Sequence, residues 1–254
     1  SIRLIYANIC RPAVNDVPAP VLVLNHGTGP DRLIYRAYPC DAEFVEWFLR
    51  RGFIVVSPVR RGYGATGGPW AEDLAVGPRG VRSCDDVDPY KQALETARDI
   101  DAAVEYGTSL TGARPDGAVV LGISTGGYGA IAYDSMPHPK AAAFINVSGG
   151  RGGRIGGGIG RVCHADRLIE GAGRYGRTAS TPMLWLYATN DFYFSPDLGR
   201  AMHRAFTEAG SKAEFVETGL SGYDGHGMFA SFTGTQRWGP IVEAYLRRQL
   251  GGPP

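Results

Sequence analysis

Three side chains in this sequence have the types and order needed for covalent acyl chemistry. Ser124 stands at the centre of "GISTG" (122–126), where the apolar run "AVVLGIS" (118–124) gives way to glycines. A serine hydroxyl is a poor nucleophile at neutral pH, so it needs a histidine base that is itself held by a carboxylate. A G-x-S-x-G pentapeptide between a strand and a helix forms a sharp turn that exposes the serine, and its acid and base follow later in the chain in that order. After Ser124, "MLWLYAT" leads into Asn190-Asp191, and "EFVET" leads into "GYDGHGMF", which contains His226. Asp191 is the expected acid and His226 the expected base.

The other histidines fit less well. His203 falls inside the helical pattern "DLGRAMHRAFTEA", His138 lies in the turn "MPHPK", and His164 precedes the acid. Asp224 competes with Asp191 for the acid role, but from two residues away it would have difficulty reaching the ring of His226. Asp197 suits the first turn of a helix. An oxyanion needs two N–H donors. "LNHGTGP" (24–30) places Thr28 in a loop after an earlier strand, and Thr125 follows the serine, so their backbone N–H groups are the expected pair. His26 then reads as a residue bracing that loop. A dinucleotide loop, Gly127-x-Gly129-x-x-Ala132, also matches in part. It falls inside the expected helix, and no acidic residue ends the next strand.

The elements that must carry these residues alternate. Strand-like runs at 20–26, 53–58, 118–124, 141–147, 182–189 and 212–218 are separated by helical patterns near 41–51, from Pro89, from Thr125, from Pro196 and from about Arg237. Asp88-Pro89 and Ser195-Pro196 each set a capping side chain before a proline at the first helical position. Continuous apolar strands between helices predict one α/β domain over residues 1–254, its mostly parallel sheet covered on both faces. The N-terminal "IRLIYANI" (2–9) reads as an edge strand. The glycine- and arginine-rich segment after the fourth of these strands, within 148–180, reads as an insertion: a flexible surface loop with most of its arginines solvated, or alternatively a small cap that offers a cation to a substrate carboxylate.

Charge sets limits on partners. With 26 Lys and Arg against 25 Asp and Glu, the net charge is +1, so nothing points to nucleic acid or to an anionic membrane. No apolar run has the length of a membrane span. The chain opens at Ser1 without a methionine, and it holds four cysteines (Cys10, Cys40, Cys84, Cys163) that allow three pairings or free thiols. Together these lean toward a periplasmic or secreted protein from which a leader has been removed. No Cys/His pattern suits a metal, and the chemistry needs no cofactor. The expected partners are a small-molecule ester and, for assembly, a second copy in a homodimer.

HGTG after one strand, "RRGYGATGG" (60–68) after the next, GISTG, Asp191 and His226 together resemble the α/β-hydrolase superfamily over nearly the whole chain. The more particular likeness is to bacterial dienelactone-hydrolase-like proteins. The RGYGxTGG stretch also looks like prolyl-oligopeptidase-like and acyl-peptidase catalytic domains. The resemblance implies a hydrolase fold and a Ser-His-Asp triad. True dienelactone hydrolases carry cysteine at the elbow, whereas this chain has Ser124. The resulting expectation is a serine esterase acting on small or aromatic acyl or alcohol groups. A serine peptidase or amidase with the same triad, or a non-catalytic hydrolase-fold binding protein, are the alternatives. Tyr63, Trp70 and Phe192 are candidate walls of an aromatic pocket, with Tyr63 also a candidate hydroxyl near the oxyanion. Arg151 and Arg154 are candidate cations for a substrate carboxylate.

Overall fold

The structure, a computed structural model, describes residues 4–13, 18–29, 31–70, 84 and 87–251. Residues 2 and 3 of the N-terminal stretch and residue 30 of the HGTGP loop lie outside the described residues. Strands β1 (Ala7–Cys10), β2 (Val21–Asn25), β3 (Ile54–Pro58), β4 (Ala118–Ile123), β5 (Ala141–Val147), β6 (Met183–Tyr187) and β7 (Ala213–Glu217) form one sheet in the order β1-β3-β2-β4-β5-β6-β7. Only β1 runs antiparallel, at the edge against β3; the other pairings are parallel. The expected doubly covered parallel sheet is the observed one, and of "IRLIYANI" only Ala7–Ile9 lies in the edge strand.

The helices are α1 (Glu43–Leu49), α2 (Pro89–Thr108), α3 (Thr125–Asp134), α4 (Ala165–Gly176), α5 (Pro196–Glu208) and α6 (Gly234–Leu250). Successive strand residues serve opposite faces, because strand side chains alternate. Val21, Val23, Val56 and Val120 pack with α2, α3, α4 and α5, while Leu22, Leu24, Val55 and Leu121 pack with α1 and α6. All eight are fully buried, each contributing about 1.5–3 kcal/mol before entropy is set against it. Both caps read from the sequence form: Asp88 accepts from the Lys91 N–H at 3.1 Å and Ser195 from that of Leu198 at 3.3 Å. The last helix starts at Gly234, three residues before the expected Arg237.

Residues 148–180 divide into two parts. Helix α4 belongs to the helical layer: Leu168, Ala172 and Tyr175 are buried, and the Leu168 carbonyl accepts from the Tyr128 hydroxyl at 2.8 Å. The preceding glycine-rich stretch docks instead on the loop after β6, where the Gly160 N–H donates to the Phe192 carbonyl at 2.9 Å. Two disulfides, Cys10–Cys40 and Cys84–Cys163, resolve the open pairing. Among the described residues no helix is long and apolar enough to cross a membrane.

Candidate active site

Ser124 occupies the turn between β4 and α3 with φ +56° and ψ −119°, a region that side-chain-bearing residues rarely adopt. A serine at a helix N-cap normally turns its hydroxyl onto the first-turn N–H groups. Here that bond is absent, and Oγ has no hydrogen-bond partner among the described residues. The flanking glycines make the turn sterically feasible. A Cβ on Gly122 would lie 2.1 Å from the Gly126 carbonyl oxygen, and one on Gly126 would lie 2.5 Å from that of His26. Gly127, Gly129 and Ala132 all lie within α3, so the partial dinucleotide match is a helix face.

Asp191 lies in the loop after β6 and is buried. Its Oδ1 accepts the backbone N–H groups of Tyr193 (2.8 Å) and Phe194 (2.9 Å). Both carboxylate oxygens also face His226 Nδ1, Oδ1 at 3.1 Å and Oδ2 at 3.0 Å. An ionised carboxylate only accepts, so Nδ1 carries the proton and the neutral ring presents Nε2 as an acceptor. Nε2 has no hydrogen-bond partner among the described residues, and no hydrogen bond joins it to Ser124 Oγ. The His226 ring stacks on Tyr193 at 4.2 Å between centroids and meets the edge of Phe194 at 5.5 Å.

The loop bearing His226 follows β7 and enters a short helical turn, Gly225–Ala230. Asp224 does not reach the imidazole. Its Oδ1 accepts the backbone N–H of His226 and that of Phe192, both at 3.0 Å, so it ties the base loop to the acid loop. Asn190 does similar work: Oδ1 accepts the Ser221 N–H at 2.9 Å and Nδ2 donates to the Gly222 carbonyl at 3.1 Å. Neither role is legible in sequence, although both residues adjoin the two chosen ones.

Opposite the elbow, the loop after β2 passes close to the serine. A Cβ on Gly27 would lie 2.9 Å from Ser124 Cβ and 3.4 Å from its Oγ. Thr28 Oγ1 contacts both Thr125 Oγ1 and the Tyr63 hydroxyl at 3.2 Å. His26 is buried, with Nδ1 donating to the Gly27 carbonyl at 2.6 Å and Nε2 accepting the Arg60 backbone N–H at 3.1 Å. Burial, followed by the nearby Arg60 charge, holds its pKa well below the usual histidine value and keeps it neutral. Arg60 had no part in the sequence reading. The arginine doublet before Gly62-Tyr63 is visible, but which guanidinium turns inward is decided by packing.

The remaining candidates separate. Tyr63 is buried and joins the Thr28 loop through its hydroxyl, and Trp70 meets its ring edge-on at 6.1 Å. Phe192 is half-buried and packs edge-on against the exposed Tyr223 at 5.2 Å. Arg154 stands over the Tyr193 ring at 5.3 Å, with Nη1 4.0 Å from Asp224 Oδ2, at the margin of the acid–base pair. Arg151 is placed differently from the carboxylate-binding expectation. It is 3% exposed and donates to the Thr96 hydroxyl of α2, so its guanidinium is turned into the helical layer.

A family model described as the alpha/beta hydrolase family matches residues 21–249. No curated protein matches the chain in sequence. Among solved structures, Est1E from Butyrivibrio proteoclasticus, bound to ferulic acid, is similar with a TM-score of 0.64 at 14% identity, over 97% of this chain and 96% of that one. A protein assigned as a dienelactone hydrolase from Klebsiella pneumoniae is similar with a TM-score of 0.55 at 15% identity, over 96% and 99%. The acylaminoacyl peptidase of Pyrococcus horikoshii gives 0.64 at 19% identity, over 98% of this chain but only 40% of that longer one. At these identities the likeness is one of fold.

Proposed function

Because the chain belongs to the alpha/beta hydrolase family, we propose that it is a serine hydrolase of carboxylic esters, with Ser124 as nucleophile, His226 as base and Asp191 as the acid that holds it. Family membership supports hydrolysis in general. The observation that supports the triad is the Asp191–His226 pair, bonded at 3.0 Å, together with the strained turn that holds Ser124.

In this reading His226 Nε2 takes the serine proton as Oγ attacks the acyl carbon, and Asp191 stabilises the imidazolium that forms. The N–H groups of Thr28 and Thr125 receive the oxyanion. Neither donates to a described protein group, so both are available. Losing one such donor costs about 3–4 kcal/mol of transition-state stabilisation. His226 then protonates the leaving alcohol and activates the water that releases the acyl group. Tyr193 against the His226 ring, Phe192 in the same loop and Trp70 against Tyr63 supply aromatic surface, which suits small or aromatic acyl and alcohol groups. Arg154 sets a cation at the rim.

A peptidase or amidase would use the same machinery. Matched 4-nitrophenyl esters and 4-nitroanilides of one acyl group separate the two. The expected outcome is ester turnover exceeding anilide turnover by at least about 100-fold in kcat/KM, a difference of about 2.7 kcal/mol. Comparable rates on both would replace the esterase reading with the peptidase one.

A further inference from the structure

Beside Thr125 of the elbow and the loop that carries Thr28 lies a buried cation. Arg60 is 1% exposed, and among the described residues no carboxylate lies within ion-pair distance of it. The nearby Asp99 is taken by Arg61 at 2.5 Å. Burying a guanidinium that has no carboxylate in direct contact is costly, even with the Asp99 charge nearby and the Tyr63 ring 5.2 Å from its Cζ. Its contacts indicate what it does there. Nη1 donates to the His26 carbonyl, and Nη2 donates to Thr125 Oγ1 at 3.0 Å. The Arg60 backbone N–H donates to His26 Nε2 at 3.1 Å.

We propose that Arg60 is a positioning residue for the oxyanion hole, aligning both backbone donors through His26 on one side and Thr125 on the other. The inference rests on the serine hydrolase reading above.

The His26 branch works through peptide planarity. Because Nε2 accepts from Arg60, the proton of the neutral ring must sit on Nδ1, which donates to the Gly27 carbonyl. The Gly27 carbonyl and the Thr28 N–H belong to one planar trans peptide and point in opposite directions. Fixing the carbonyl therefore fixes where the Thr28 N–H points. The Arg60 bond to the His26 carbonyl fixes the preceding peptide plane in the same way.

The Thr125 branch is directional. A guanidinium only donates, so Thr125 Oγ1 accepts from Arg60, and the same hydroxyl is hydrogen-bonded to Thr28 Oγ1, which in turn is hydrogen-bonded to the Tyr63 hydroxyl. The chain from Arg60 through Thr125 and Thr28 to Tyr63 thus joins the elbow to the opposing loop. The buried positive charge also favours the anion that forms between them.

The test compares wild type, Arg60→Met, Arg60→Lys and Thr125→Val on one 4-nitrophenyl ester, with a trifluoromethyl ketone of the same acyl group as tetrahedral-anion analogue. Thr125→Val keeps the backbone N–H and the side-chain shape while removing the hydroxyl. Arg60→Met and Thr125→Val are expected to lower kcat roughly 10- to 100-fold, as small misalignments do, with KM within about threefold of wild type. Inhibition by the ketone is expected to weaken by the same factor as kcat/KM falls. Arg60→Lys is expected to restore part of the loss.

A folded Arg60→Met with wild-type kcat, or a loss confined to KM, overturns the proposal. If Arg60→Met does not fold, wild-type kcat and ketone affinity in Thr125→Val overturn it instead. Fluorophosphonate labelling of wild type separates the two levels. An unlabelled wild type defeats the hydrolase reading, whereas a labelled wild type with unmoved variants defeats the role of Arg60 alone.

Discussion

Asp191 commits both carboxylate oxygens to His226 Nδ1 and one of them to two backbone N–H groups as well. Asp191→Asn preserves shape but sets an amide N–H donor against the ring. The ring must then accept at Nδ1 and carry its proton on Nε2, where it can no longer receive one from Ser124. Steady-state kinetics are expected to show kcat lower by about 10³–10⁴-fold with KM little changed. A fall of less than about tenfold would remove Asp191 from the acid role. Chain order was enough to propose Ser124, Asp191 and His226 together, because strand ends in a parallel sheet gather on one edge, and of the three the structure bonds Asp191 to His226. It was not enough to find Arg60 or to separate Arg151 from Arg154. Arg60 stands in an arginine doublet and Arg151 and Arg154 both adjoin glycines, and only packing, against the His26 loop, against α2 and against the loop after β6, distinguishes their surroundings.

At the scale of elements, the elbow depends on how closely β4, α3 and the loop after β2 approach one another. Gly126→Ala would drive a methyl group into the His26 and Asn25 carbonyls, at 2.5 and 2.7 Å, whereas a Cβ at Gly227 meets nothing within 4 Å and needs no positive φ. Denaturant melts are expected to show Gly126→Ala destabilised by about 1–3 kcal/mol or more and Gly227→Ala within about 0.5 kcal/mol of wild type. Equal effects would contradict the close crossing. The helix and strand boundaries were legible from apolar periodicity and from the Asp-Pro and Ser-Pro starts. The early start of α6 was not, since Gly234 and Thr235 carry no helical signal.

The far end of α3 carries a titrating group. Burial acts to lower the pKa of His138, but the Asp134 carboxylate 3.1 Å from its Nε2, together with backbone hydrogen bonds, outweighs this and raises the histidine pKa above about 6.5. His26 has moved the other way. The signs follow from linkage. His138 contributes stability that is fully present below about pH 6.5 and is lost as pH rises through its folded pKa. His26 contributes stability that is present above about pH 6.5 and lost as pH falls below it. Urea midpoints from pH 5 to 8 are expected to show His138→Gln losing the decline on the alkaline side while keeping that on the acid side. An unchanged alkaline limb would remove His138 from the account.

For the whole molecule, the two disulfides join distant parts of the chain. Cys10–Cys40 spans 30 residues and ties edge strand β1 to the segment before α1. Cys84–Cys163 spans 79 and ties the stretch before α2 to the start of α4. Loops of these lengths stabilise by about 3.6 and about 4.5 kcal/mol respectively when chain entropy in the unfolded state dominates. Calorimetry under reducing conditions is expected to show Tm lower by several degrees or more. No change would mean that the thiols contribute little. The pairing was unreadable because four cysteines without a spacing motif leave all three pairings equal until Tyr38, bonded to Asn8 of β1 and Ser57 of β3, brings the segment with Cys40 onto the sheet edge. The single sheet with helices on both faces was legible, since alternation of apolar strands with helical patterns admits few other arrangements.

The central claim is that Ser124 is an activated nucleophile, and intact-mass analysis after a fluorophosphonate probe, on wild type and Ser124→Ala side by side, tests it most directly. The expected result is one phosphonyl adduct on the wild type and none on the variant, with labelling slowed in Asp191→Asn. A folded wild type that takes up no probe, or a Ser124→Ala variant labelled as fast as wild type, would contradict it.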